Sequence, residues 1–171
     1  LIGSTGFVGG NIANQARITD SFHSTNIGNI DGKSYGLLIS AGAKAEKWRI
    51  NQEPAKDLAE IKGLIEHLKK VKTKKLVLIS TIDIYKNPVN VDEDTVIDTE
   101  GLHAYGINRY FLEQFCSQNF DCLIVRLPGL FGPSLKKNVI FDLLNGNNVE
   151  MIHHAGSFQY YNLDNIWNDI Q

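Results

Sequence analysis

The chain has little of what would mark it as secreted, membrane-spanning or nucleic-acid-binding. Its 171 residues include only two cysteines, Cys116 and Cys122. Neither has a third ligand at metal-like spacing, so a disulfide framework and a metal centre are both excluded and two free thiols are expected. No apolar run approaches the roughly 20 residues of a membrane span, and no secretory signal is recognisable. The sequence therefore predicts a cytoplasmic protein with no membrane partner. Charge of one sign is also scarce, with 17 basic and 19 acidic residues and a net charge of −2. That balance lacks the basic excess of a nucleic-acid footprint, so nucleic acid is not expected as a partner. Lys69, Lys70, Lys72, Lys74 and Lys75 do cluster, at the end of a predicted helix and in the loop after it, where they complement the helix dipole. An initiator methionine is missing, and only two residues precede Gly3, where a buried strand normally supplies about five or six. A piece of a slightly longer chain is expected.

What is present is ordinary for one soluble domain, 43% apolar and 21% charged, without repeats or low-complexity segments. The informative stretch is the first. Leu1-Ile2 runs into Gly3-x-x-Gly6-x-x-Gly9, and Gly10 leads into a predicted helix at Asn11–Ala16. Strand, tight turn and helix start in that order make an anion site, because backbone N–H groups at a helix N-terminus meet a phosphate only where no Cβ intervenes. The spacing differs from the G-x-G-x-x-G of the common dinucleotide fold, so the turn alone is equally a glycine-rich connection.

Further along, apolar strands alternate with helical patterns. Phe22–Ile27 has strand-like residues, and about 20 positions past the glycines, where an acid often holds a ribose, stand Ser24, Thr25 and Asn26, with Asp31 a little later. Gly36–Ala41 is a continuous apolar run suited to a buried parallel strand, and it ends in Ala41-Gly42-Ala43. Pro54 suits a first helical turn, and Leu58, Ile61, Ile65 and Leu68 recur at helical spacing. Leu76–Ile79 is a second buried strand, ending in Ser80-Thr81, whose hydroxyls either face a ligand or cap the turn. Lys86–Gly101 is polar and acidic, a loop over the sheet edge. His103–Glu113 opens a helix on which Tyr105 and Arg109 share a face. A fixed cation there favours the phenolate and lowers the tyrosine pKa. Cys122–Leu127 is a third buried strand, followed by the turn-rich Pro128–Pro133, a helix at Val139–Leu144, strands at Val149–Ile152 and Phe158–Tyr161, and a helix opening at the end. His153 and His154, adjacent on a predicted strand, point apart and carry no metal expectation. The order of elements predicts an α/β fold with a doubly wound parallel sheet, Rossmann-like, in a single domain over 1–171.

Taken together, Gly3-x-x-Gly6-x-x-Gly9, Ala41-Gly42-Ala43, Ser80-Thr81 with Tyr85 beyond them, Tyr105 with Arg109, and Arg126 through Pro133 resemble the extended short-chain dehydrogenase/reductases. Within them the chain is most similar to the NAD-dependent epimerase/dehydratase group that modifies nucleotide sugars. The resemblance implies NAD or NADP as cofactor and a nucleotide-sugar substrate. It implies cofactor contacts from Gly3, Thr5, Gly6, Phe7, Val8, Gly9, Ala41, Gly42, Ala43, Ser80, Pro128, Gly129 and Leu130. Thr81 would hydrogen-bond the reacting oxygen, Tyr105 would act as acid/base, and Arg109 stands where the family carries lysine. The implied activity is hydride transfer by an epimerase, dehydratase or reductase. The alternative is a catalytically weakened NAD(P)-binding regulator or scaffold of the same fold.

The chain also departs from the family pattern. Arg109 keeps the positive charge but cannot release a proton in the usual range. The stretch between the second strand and Gly36 is short, Gly129 replaces a common asparagine, and the C-terminal substrate part is short or truncated. The helices containing Pro54–Val71 and Gly101–Asn119 resemble those that build a homodimer in relatives.

Overall fold

Successive side chains on a strand point to opposite faces of a sheet, and here both sets are buried. Leu38, Leu76 and Leu78 enter one apolar cluster, and Ile39 and Val77 enter another. Strands buried on both faces need cover on both faces. The computed structural model, which describes residues 1–171, has that arrangement.

Strands β1 (Ser34–Ser40), β2 (Lys72–Thr81) and β3 (Cys122–Leu127) lie parallel in the order β1-β2-β3. Ile2 bridges Ser40 on one side and Phe22 on the other, again in parallel. The sheet therefore runs Phe22, Ile2, β1, β2, β3. Helix α1 (Phe7–Gln15) supplies Ile12 to one face, together with Leu163, Ile166 and Ile170 from the end of the chain. On the opposite face, α3 (Pro54–Leu68) and α4 (Ala104–Asn119) supply Ile61, Ile65, Leu68, Leu112 and Cys116. The connections leaving Ile2 and β1 thus go to opposite faces, which makes the crevice between them the topological switch point. A short α2 (Lys47–Gln52) precedes α3, and α5 (Val139–Asn145) and α6 (Ile166–Asp169) follow β3. A parallel pair, β4 (Gly129–Phe131) and β5 (Tyr160–Asn162), forms a second small sheet. No helix is long and apolar enough to cross a membrane.

Several local expectations are corrected. Only Phe22 of the predicted Phe22–Ile27 strand pairs, because Asn26 turns the chain: its Oδ1 accepts from His23 N at 2.7 Å and its Nδ2 donates to Ser21 O at 3.2 Å. A 3₁₀ turn, Ile27–Ile30, follows. The predicted strand at Val149–Ile152 is a 3₁₀ turn over Val149–Met151, entered through Asn148 at φ 48°. His153 and His154 are therefore not on a strand, and instead of pointing apart their rings stack at 5.4 Å. Pro128–Pro133, read as turn, contains β4. Lys72, Lys74 and Lys75 belong to β2 rather than to a loop, since Ser34 and Leu37 of β1 pair with Lys72 and Lys75. Both cysteines are free, Cys116 buried and Cys122 half-buried.

Two of the three turn glycines are demanded by the chain itself. Gly3 has φ +84°, and a Cβ there would lie 2.2 Å from Ala41 O; a Cβ on Gly9 would lie 2.1 Å from Gly3 O. Both approaches are to rigid backbone. At Gly6, which is exposed, the nearest atom to such a Cβ is Gly3 O at 3.3 Å. Gly9→Ala is expected to lower unfolding free energy by about 3 kcal/mol, and Gly6→Ala by about 1 kcal/mol or less, in urea denaturation.

Candidate active site

All strands of the main sheet are parallel, so Gly3, Ala41, Thr81 and Pro128 each follow a strand end on the same edge. That edge gathers most of the residues predicted from sequence. Helix α1 starts at Phe7 with Gly6 as its N-cap, four residues earlier than the predicted start, and no side chain caps it. Gly6 N donates back to Gly3 O at 2.9 Å and Gly10 N to Gly6 O at 2.8 Å, whereas the N–H groups of Phe7, Val8 and Gly9 find no acceptor in the protein. Unpaired N–H groups at the positive end of a helix suit an anion. Thr5 and Gly6 are exposed beside them, and Ala41, Gly42 and Ala43 line the facing strand end, held by Ala41 N to Ile2 O at 2.9 Å.

One strand further along, Thr81 is buried, and its Oγ1 accepts from Asp83 N at 3.1 Å. That bond leaves the hydroxyl proton of Thr81 available to another acceptor. Tyr105 reaches the same spot from the first turn of α4. The approach depends on Gly106, where a Cβ would lie 2.4 Å from Asp83 O. Two further bonds fix the helix entry: His103 Nδ1 accepts from Gly106 N at 3.0 Å, and Asn51 Oδ1 accepts from Tyr105 N at 2.9 Å. Tyr105 is only 7% exposed. Its pKa lies above the ordinary tyrosine value, chiefly through burial; Arg109 and Thr81 pull it down, and Asp83 pushes it up. The expected lowering by Arg109 is present but smaller than the desolvation it opposes.

Arg109 is itself buried and closed off. Its guanidinium binds Asp57 through both nitrogens at 3.0 Å and also donates to Lys44 O, while Cζ sits 4.7 Å from the centre of the Tyr105 ring. Asn108 Nδ2 adds a bond to Asp57 Oδ2 at 2.8 Å. Sequence reasoning missed Asp57. The signal lay in the helical stripe of α3, whose buried positions are Asp57, Ile61, Ile65 and Leu68, with the acid rather than Leu58 at the first position.

A second buried network lies behind Thr81. Ser80 Oγ donates to Glu113 Oε1, and Glu113 binds Arg126 Nη2 at 2.9 Å. Arg126 Nη1 donates to the Tyr85 hydroxyl at 2.7 Å, and that hydroxyl donates to Asp92 O at 2.7 Å. Ser80 is thus tied to α4, and the loop after Tyr85 is tied to the sheet. Of the last predicted group, Pro128 is half-buried, Gly129 is exposed, and Leu130 packs on the core cluster shared with α1. Asp31, the acid that follows the predicted ribose position, is engaged by Lys70 and His67 at 2.7 Å each. A groove of about 440 Å³ between α3 and α4, lined by Ile65, Phe111 and Phe115 among others, shares no residue with the predicted site.

No protein-family model and no curated protein matches the sequence. Solved structures do match. One is an NAD-dependent NDP-hexosamine 5,6-dehydratase, TunA, involved in tunicamycin biosynthesis, with a TM-score of 0.76 and 14% identity over 99% of this chain and 69% of that one. Another is RMD from Pseudomonas aeruginosa, solved with NADPH, with a TM-score of 0.74 and 15% identity over 99% and 69% of the two chains. A third is a dTDP-4-dehydrorhamnose reductase ortholog from Clostridium acetobutylicum, with a TM-score of 0.73 and 15% identity over 99% and 67%. The shared property is the fold. It is the doubly wound, Rossmann-like α/β sheet, and about a third of each of those chains lies outside the match.

The Glu113–Arg126 pair is expected to matter far more than the exposed Lys86–Asp98 pair at the other end of the same loop. Glu113→Gln removes the buried carboxylate that pairs the half-buried Arg126 and should cost about 2 kcal/mol, with faster hydrogen exchange at Asp92–Thr95. Lys86→Ala should leave urea unfolding within experimental error.

Proposed function

We propose that the chain is an NAD(P)-dependent oxidoreductase, epimerase or dehydratase acting on a nucleotide sugar. The observation that carries this reading is the row of unpaired N–H groups at Phe7–Gly9, set at the switch point of the sheet. Thr81 and Tyr105 stand at the end of the next strand but one on the same edge. The names of the structures that share the fold, an NAD-dependent dehydratase of an NDP-hexosamine among them, give the substrate class its support.

In this reading the Phe7–Gly9 amides bind the cofactor pyrophosphate, with Thr5 and Gly6 at its exposed side and Ala41–Ala43 beside the riboses. Pro128–Leu130 flank the nicotinamide. The bound nicotinamide supplies the hydride chemistry. Thr81, already accepting from Asp83, donates its proton to the reacting oxygen. Tyr105, kept as a phenol by burial, delivers a proton to that oxygen when a carbonyl is reduced. Arg109 acts on Tyr105 as a cation lying over its ring, while three of its N–H groups are taken by Asp57 and Lys44.

The second reading, a catalytically weakened NAD(P)-binding regulator, is favoured by the Arg109–Asp57 pair, since an arginine held by a carboxylate helps Tyr105 as a base less than a free cation would. Calorimetric titration with NAD⁺, NADH, NADP⁺ and NADPH, followed by assays on a panel of nucleotide sugars, separates them. The enzyme reading expects one cofactor pair to bind, and Tyr105→Phe to lose about 100-fold or more in kcat with cofactor affinity unchanged. Binding without turnover, and no gain from Arg109→Lys, selects the regulator. Failure of all four nucleotides to bind overturns both.

The α3–α4 face, where Ile107 is 40% and Phe111 39% exposed, belongs to the same proposal as the contact for a second copy. Light scattering should give a dimer mass that Phe111→Glu halves.

A further inference from the structure

Asp57 has no part in the chemistry above, yet it is a buried carboxylate, 4% exposed, with three side-chain donors on it: both guanidinium nitrogens of Arg109 and the amide of Asn108. Its carboxylate and the Lys44 carbonyl bracket a guanidinium that lies against the ring of Tyr105. A cation that close, with no counter-ion, moves a phenol toward phenolate by about one to three pH units. A cation paired in a two-bond fork presents a dipole instead, whose field falls off much faster with distance.

The other groups facing Tyr105 do not make up for the pairing of that charge. Asp83, from the turn after β2, is itself paired with Lys47 at 2.7 Å. His103 lies with its ring 6.2 Å from that of Tyr105 and has its Nδ1 engaged by Gly106 N. Asn51 of α2 and Thr81 are neutral. Arg109 is the cation whose field Asp57 controls.

We propose that Asp57 is a positioning residue: by clamping Arg109 in an ion pair it weakens the pull of the guanidinium charge on the Tyr105 hydroxyl, which then serves as a proton donor. This rests on the assignment of Tyr105 as the acid/base. The direction of the chemistry follows. A bound reduced nicotinamide would supply hydride to a carbonyl carbon, and the carbonyl oxygen would then take the Tyr105 proton: the phenolic O–H bond breaks, a substrate O–H bond forms, and water restores the phenol. The reverse step, in which Tyr105 accepts a hydroxyl proton, is the one that Asp57 disfavours. Burial raises the Tyr105 pKa in the same sense.

The test is a titration that needs neither substrate nor cofactor. Ultraviolet difference titration of the protein against its Tyr105→Phe variant isolates the Tyr105 phenolate across alkaline pH. Asp57→Asn, which keeps the shape and loses the charge, should lower the Tyr105 midpoint by about one pH unit or more. Asp57→Glu should keep the parent midpoint, and Asp57→Asn with Arg109→Met should abolish the fall. Where Asp57→Asn does not fold, Asp57→Asn with Arg109→Lys takes its place with the same expected fall. An unchanged midpoint in the folded variant, or an equal fall without Arg109, overturns the proposal. Loss of nucleotide binding in the calorimetric experiment would instead overturn the cofactor reading and leave this titration unaffected.

Discussion

Backbone meets backbone where Gly3 packs between the carbonyl of Ala41 and the chain at Gly9. No side chain can enter this contact, so the first strand, the start of α1 and the end of β1 are held in one geometry by main-chain atoms alone. The opening of α1 inherits its position from it. Its first amides are left presented at the sheet edge without an acceptor in the protein. The same glycines that suit a phosphate would be required here by packing even with no ligand, and only exposed Gly6 is free of that double demand. The anion-binding property is thus a by-product of how tightly the sheet is closed at its switch point.

The far side of the site is organised by charge. Tyr105, Arg109 and Glu113 recur every four residues on α4 and so lie on one face, with Leu112 and Cys116 beside them in the core. Arg109 reaches across to α3 through Asp57, and Glu113 reaches across to β3 through Arg126. Buried ion pairs of this kind add little stability over well-packed apolar residues, but each is costly to break singly. Two such pairs, one turn apart on the same face and reaching to different neighbours, fix its rotation. They do so where Gly106 has already set its depth.

The doubly wound sheet was legible because β1 and β2 each contain a continuous apolar run and α3 has a strong helical period. The glycine turn, the hydroxyls that close β2 and Tyr105 were legible because each stands at a strand end or a helix start. Misreadings fell where one polar side chain overrode a pattern. Asn26 ended a strand that propensity favoured, and Asn148 bent Val149–Met151 into a turn. Asp57 was hidden for a related reason: the helical stripe is found by looking for apolar residues, and its first member is an acid. Its partner was visible at Arg109, but pairing across 52 positions is a tertiary fact that no local period carries. The sign of the Tyr105 shift was missed likewise, since a neighbouring cation can be read from spacing, whereas burial cannot.

The two margins of the main sheet differ in a way that bears on how the protein behaves in a crowded solution. At one margin the terminal pairing is a single residue, Phe22, flanked by the Asp20–Lys33 ion pair, and it offers almost no main-chain template. At the other, β3 is the outer strand for six residues, and its stretch Cys122-Leu123-Ile124-Val125 carries no charge before Arg126. An outer strand whose first four residues are uncharged leaves its main-chain groups open to a further strand, whether from its own polypeptide, a partner or another copy. The two sides of the sheet are therefore unequal: one is guarded by charge, and the other is open.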